Sequence, residues 1–110
     1  IPAEVAKRAK FIYVNYPNNP TGAVATLDFY EELVAWAKKY QVGVVSDFAY
    51  GAIGFDGQAP VSFMQTPGAK EVGIEFYTYS KTFNMAGWRV AFAVGKILIL
   101  PSPSKSPSVR

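Results

Sequence analysis

The chain has 110 residues, half of them apolar and 15% aromatic, with a formal net charge of +3. This is one small domain, short for a complete metabolic enzyme, too apolar for a disordered chain and too diffusely basic to indicate nucleic acid. Cysteine and histidine are absent, which excludes disulfides, thiolate zinc sites, cysteine nucleophiles and Ser-His-Asp chemistry, and leaves lysine, hydroxyls or carboxylates for any covalent step.

The opening IPAEVAKRAK predicts a short helix that runs into an apolar strand, Phe11–Asn15. YPNNPTG, residues 16–22, is dense in Pro, Asn and Gly and predicts a turn. Thr26 is the expected N-cap of a helix from Leu27 to Tyr40, with Asp28, Glu31 and Glu32 early and Lys38 and Lys39 late, as the helix dipole favours. Leu27, Tyr30, Leu33, Val34 and Ala37 recur at helical spacing and form its expected buried face.

VGVVSD, residues 42–47, predicts a nearly continuous apolar strand of the kind covered on both faces in a parallel sheet, ending in Asp47. FDGQAP is another turn, and SFMQTPGAKEVG predicts loop and short helix. A third strand is expected over Ile74–Ser80 and a fourth over Trp88–Gly95, reached through the turn-like NMAG. The order of elements predicts an α/β fold with a largely parallel sheet.

No apolar run approaches the roughly 20 residues that cross a bilayer, and no signal peptide opens the chain. The start at Ile1 without methionine fits an excerpt or a processed product, and a cytoplasmic origin is the default expectation. The ending KILILPSPSKSPSVR turns to Ser and Pro, so residues 96–110 are expected to be a disordered tail outside the domain of residues 1–95.

Several residues could carry chemistry. Ligand groups gather at the carboxyl ends of strands in open parallel sheets, where Asp47 lies. A lone Asp there is also an ordinary turn cap. Tyr50, three residues later, can face the same pocket or simply pack. Asn19, held extended by Pro20, aims its side chain away from the turn, though NNPTG also reads as nothing more than a good turn. Lys81 follows the third strand and so shares the sheet edge of Asp47.

In a partly apolar setting the amine of Lys81 would be freed for Schiff-base chemistry; the alternative is a solvated loop lysine. Thr78, Ser80 and Arg89 flank it with the hydroxyls and guanidinium that a phosphate dianion wants. A Ser-Lys hydrolase is disfavoured, because adjacent side chains at a strand end diverge. No Walker loop or GxGxxG occurs, and the glycines of GAIGFDG are a weak nucleotide signature.

In order, these residues form one pattern: Asn19-Pro20-Thr21-Gly22, then Asp47-Phe48-Ala49-Tyr50, then Ser80-Lys81 with Arg89 eight positions on. The pattern closely resembles the class I/II, fold-type I aminotransferases, over about Phe11 to Gly95. The wording of NYPNNPTGAVAT, DFAYGAIGFDG and SKTFNMAGWRVAFAVG is similar to the branch containing LL-diaminopimelate, aromatic and methionine aminotransferases.

The resemblance implies that residues 1–95 are the central segment of a mainly parallel-sheet large domain that binds pyridoxal 5′-phosphate. It implies transamination between an amino acid and a 2-oxo acid, with a carbon–sulfur β-lyase or an inactive binding fragment as alternatives. Lys81 would form the Schiff base and shuttle the Cα proton, and Asp47 would pair with the pyridinium nitrogen. Tyr50 and Asn19 would bond the phenolic oxygen. Arg89, Thr78 and Ser80 would hold the phosphate, with Thr78 standing where the family usually has serine.

Family members are several times longer. They add an upstream glycine-containing loop and a ring-stacking aromatic, a downstream carboxylate-clamping arginine, and a residue from the second subunit of a homodimer. A member would continue past Gly95 into an acidic helical segment, so the last fifteen residues are expected to be a frameshift, cloning junction or gene-model artefact. Neither nucleic acid nor membrane is an expected partner.

Overall fold

The longest helix begins at the expected cap. In a computed structural model, which describes residues 1–96, the Thr26 hydroxyl accepts the Phe29 N–H at 3.2 Å and α2 runs Leu27–Tyr40. It ends at Gln41, whose left-handed backbone (φ 56°) stops the helical ladder, with the Val42 N–H returning to the Ala37 carbonyl at 3.0 Å. Before it come α1 (Ala3–Ala6) and β1 (Phe11–Asn15). After it come β2 (Gly43–Asp47), α3 (Ala69–Val72), β3 (Gly73–Thr78), α4 (Tyr79–Thr82) and β4 (Ala91–Gly95).

The sheet has the order β1-β2-β3-β4, with the first two pairings parallel and the last antiparallel. The α/β reading with a mainly parallel sheet therefore holds. Tyr30, Leu33, Val34 and Ala37 of α2 pack with Val44, Phe63 and Ala69 into one core, flanked by Ile12 and Val14. Each such side chain taken fully from water contributes about 1.5–3 kcal/mol before chain entropy is set against it. At Gly73 an added Cβ would lie 2.7 Å from both the Val44 carbonyl and the Phe63 ring, so β3 can approach β2 this closely only without a side chain there.

Four expectations change. Leu27, the first residue of α2, is 40% exposed and stands outside its buried face, which starts at Tyr30. The third strand ends at Thr78, not Ser80: the Thr78 hydroxyl accepts the Ser80 N–H at 3.2 Å and caps α4. The fourth strand starts at Ala91, not Trp88, since residues 86–88 form a 3-10 turn and Arg89 has φ 54°. Among the described residues the sheet is covered on one face only. On the other face Phe11, Tyr13 and Phe76 are 45%, 76% and 44% exposed.

No helix among the described residues is long and apolar enough to cross a membrane. Apart from Lys96, the expected Ser/Pro-rich tail lies outside the described residues.

Candidate active site

Parallel pairing puts Asn15, Asp47 and Phe76 side by side at one end of the sheet, the carboxyl ends of β1, β2 and β3. The segments leaving these ends carry the candidate residues. After β1, asparagines knit the turn. Asn15 Oδ1 accepts from Asn18 Nδ2 at 3.3 Å and from the Asn19 N–H at 3.2 Å, while Asn15 Nδ2 donates to the Asp47 carbonyl at 3.1 Å. Asn18 Oδ1 accepts the Thr21 hydroxyl at 2.7 Å, and Gly22, at φ 73°, closes the turn with its N–H on the Asn18 carbonyl.

With the side chains of Asn15 and Asn18 committed to the turn and to the Asp47 carbonyl, the Asn19 side chain is the one that reaches Tyr50. Its Nδ2 donates to the Tyr50 hydroxyl at 3.2 Å. Lys81 joins from α4, the turn after β3: its Nζ stands 6.0 Å from the centre of the Tyr50 ring, at the outer limit of a cation–π contact. Three residues far apart in sequence thus meet at one sheet edge. Beside Asn19 and Tyr50 lies an open cleft of about 620 Å³, walled by Val24, Ile53, Phe55 and prolines 17, 20 and 60.

The other candidates are placed at the same edge but are not joined to this cluster by direct contact. Asp47 Oδ1 accepts the Ala49 N–H at 3.2 Å, the local cap weighed from sequence, and Asp47 is tied to the Asn19 loop through its carbonyl. Thr78 and Ser80 share the capping bond of α4. Arg89 Nη1 donates to the Ala86 carbonyl at 3.3 Å and so points along its own turn. Its neighbour Val90 accepts the Tyr79 N–H at 3.1 Å, which returns Arg89 to the end of β3. Lys81 is exposed, as are Thr82 and Phe83 beside it, so its amine is not enclosed by the described residues.

Sequence reading missed two things. Asn15 was seen only as a strand end, although an asparagine closing a strand before a Pro-rich turn is a signal for loop bonding. Glu75 was not singled out at all. It is fully buried in the middle of β3 and accepts four hydrogen bonds, two on each oxygen. Ser46 Oγ and the Phe63 N–H donate to Oε2 at 2.9 and 2.8 Å. Tyr77 Oη, at 2.6 Å, and Ser62 Oγ donate to Oε1.

Burial, and then the negative charge of Glu75, push the Tyr30 phenol up from 10.0 to about 12, offset in part by the Ser46 hydroxyl, although among the described residues no partner lies within hydrogen-bond geometry of the Tyr30 oxygen. Tyr77 is also raised, by burial and by donating to Glu75.

A mainly parallel α/β sheet with a lysine, a tyrosine, an asparagine and an aspartate at its carboxyl edge is the kind of framework on which enzymes bind small ligands. The profile of the family described as "Aminotransferase class I and II" matches residues 2–99, and the chain belongs to that family. Members of this family use pyridoxal 5′-phosphate.

Among curated relatives, the chain is 61% identical to the L-glutamine–4-(methylsulfanyl)-2-oxobutanoate aminotransferase of Bacillus subtilis (strain 168), over 91% of this chain and 25% of the relative. It is 56% identical to the LL-diaminopimelate aminotransferase of Syntrophobacter fumaroxidans, over 91% of this chain and 26% of the relative.

Among solved structures, substrate-bound BacF from Bacillus subtilis superposes with a TM-score of 0.83 at 56% identity, over 86% of this chain and 24% of that one. An aminotransferase from Staphylococcus aureus gives 0.81 at 45% identity, over 86% and 25%. These neighbours are fold-type I aminotransferases. The chain spans about a quarter of the length of the relatives it matches.

Proposed function

We propose that residues 1–95 are the central segment of the cofactor-binding large domain of a pyridoxal-phosphate-dependent aminotransferase, which moves an amino group between an amino acid and a 2-oxo acid. The observation that carries this reading is the meeting of Asn19, Tyr50 and Lys81 at the carboxyl edge of the sheet. The donor set fits the cofactor: an amine for the aldehyde, a carboxylate for the ring nitrogen, amide and phenol donors for the ring oxygen, and hydroxyls with a guanidinium for the phosphate.

When bound, pyridoxal 5′-phosphate supplies an aldehyde that condenses with amines and a protonated ring that accepts electrons from Cα. The residues of this chain would supply part of the remaining machinery. Lys81 would supply the amine that holds the aldehyde and would act as the base that takes and returns the Cα proton. Asp47 would hold the proton on the ring nitrogen. Tyr50 Oη and Asn19 Nδ2 would bind the ring oxygen and keep the ring oriented. Thr78, Ser80 and Arg89 would bind the phosphate, for which the Arg89 guanidinium would leave the Ala86 carbonyl.

The two curated relatives are named for different amino-group donors or acceptors, so the substrate is proposed only as an amino acid and 2-oxo acid pair. The exposed apolar sheet face and the quarter-length match support a longer protein, proposed as a homodimer on the family's pattern. No observation on this chain favours carbon–sulfur lysis.

The test is to incubate the chain with pyridoxal 5′-phosphate, reduce with borohydride and map the adduct by mass spectrometry. A tag concentrated on Lys81 supports the reading; equal tagging of lysines such as Lys7, Lys39 and Lys70 sinks it.

A further inference from the structure

We propose that Glu75 is a positioning residue for this site: its buried carboxylate fastens together the three segments that carry Asp47, Tyr50 and Lys81. The inference rests on the reading of the site given above. Ser46, which donates to Oε2, is the residue before Asp47. Ser62 and Phe63, which donate one to each oxygen, close the loop that leaves Tyr50. Tyr77, which donates to Oε1, lies just before Thr78, the cap of the helical turn that holds Lys81. One carboxylate thus ties the end of β2, the loop that closes at residues 62 and 63, and the end of β3 to a single point.

A carboxylate suits this task in a way its amide does not. Ionised, it offers only acceptors, and here both oxygens receive two donors. A glutamine of the same shape would present an NH2 group to two of them, leaving buried donors opposed. No lysine or arginine among the described residues forms an ion pair with Glu75. Burying such a carboxylate merely to fill the core would be costly, and an apolar side chain would fill the same volume without that cost. The buried carboxylate is satisfied by the donors it gathers, and those donors belong to the segments of the site.

The test compares the 110-residue chain with its Glu75→Gln variant by amide hydrogen exchange without cofactor and by borohydride trapping of pyridoxal 5′-phosphate. Exchange in residues 47–51 and 79–82 should quicken by about tenfold, while that in 33–40 of α2 stays as it was, since lost bonds to a charged group act locally. Trapping at Lys81 should fall relative to the other lysines.

Equal quickening everywhere would reduce Glu75 to bulk stability, and unchanged exchange at 47–51 and 79–82 would refute the proposal outright. Should Glu75→Gln not fold, Tyr77→Phe, which removes one donor and keeps the carboxylate, is judged by the same readout at 79–82. If the unsubstituted chain shows no preference for Lys81, the cofactor reading fails, and the exchange pattern decides separately whether Glu75 fastens these segments.

Discussion

Asn19 Nδ2 donates to the Tyr50 hydroxyl at 3.2 Å, joining the turn after β1 to the loop after β2 across 31 positions of sequence. The bond is exposed, so its worth to folding is small, and its value lies in holding two donors side by side. Tyr50→Phe should shift the urea unfolding midpoint by no more than about 1 kcal/mol in equivalent stability. Trapping of pyridoxal 5′-phosphate at Lys81 should fall about tenfold, the usual loss for one bond to a charged oxygen. Undiminished trapping would remove Tyr50 from the site.

Lys81 is exposed and forms no ion pair among the described residues. Lys81→Ala should therefore leave stability within about 0.5 kcal/mol while abolishing the dominant borohydride-trapped adduct. Lys81→Arg keeps the charge without the nucleophilic amine and should behave like Lys81→Ala in trapping. An adduct surviving at full yield in either variant would place the reactive amine elsewhere.

The hydroxyl of Tyr30 is buried with no hydrogen-bond partner among the described residues. Tyr30→Phe removes a desolvated polar atom and should be neutral or stabilising by about 1 kcal/mol near neutral pH. It should also change the alkaline limb. The folded phenol titrates near 12 against 10.0 when unfolded, so the unfolded chain releases its proton first. That contribution to stability is intact below pH 10 and is lost as pH rises from 10 to 12. Unfolding followed across that window should show the unsubstituted chain losing on the order of 2 kcal/mol more than Tyr30→Phe.

Thr26 closes the amino end of α2 through one side-chain bond to the Phe29 N–H. Thr26→Ala should cost about 1 kcal/mol, seen as a lower Tm, and Thr26→Ser should restore most of it. Because α2 supplies Tyr30, Leu33, Val34 and Ala37 to the core, the loss should register as earlier global unfolding, not as local fraying.

What could be read from sequence follows from which signals were local. The bounds of β1 and α2 coincide with expectation because Tyr16-Pro17 ends one and Thr26 caps the other, each within a few residues. The strand that continues too far, through Tyr79 and Ser80, does so because aromatic and β-branched residues favour extension; the Thr78 hydroxyl overrides them by bonding the Ser80 N–H. The antiparallel direction of β4 has no local signature.

Glu75 shows the deeper limit. Alternation of Ile74, Glu75 and Phe76 suggests the glutamate outside and the apolar pair inside, yet Glu75 is fully buried and Phe76 is 44% exposed. The donors that reverse this arrangement come from residues 46, 62, 63 and 77, and most of them are distant in sequence. The candidate site was legible as a list of residues in order. Its contacts were not, since Asn19, Tyr50 and Lys81 meet only once parallel pairing aligns the strand ends.

The reversal of direction at β4 has a mechanical consequence. Thr78 pairs with Ala91, and the Tyr79 N–H bonds the Val90 carbonyl, so segment 79–90 is stapled shut at its base. Lys81 and Arg89 are both strung on that closed loop, which limits how far apart they can drift whatever happens to the rest of the chain. Lengthening the loop by a residue or two would add little closure entropy, yet it would change the gauge between the two cations. The loop behaves as a calliper, and its setting is written in the number of residues between its jaws.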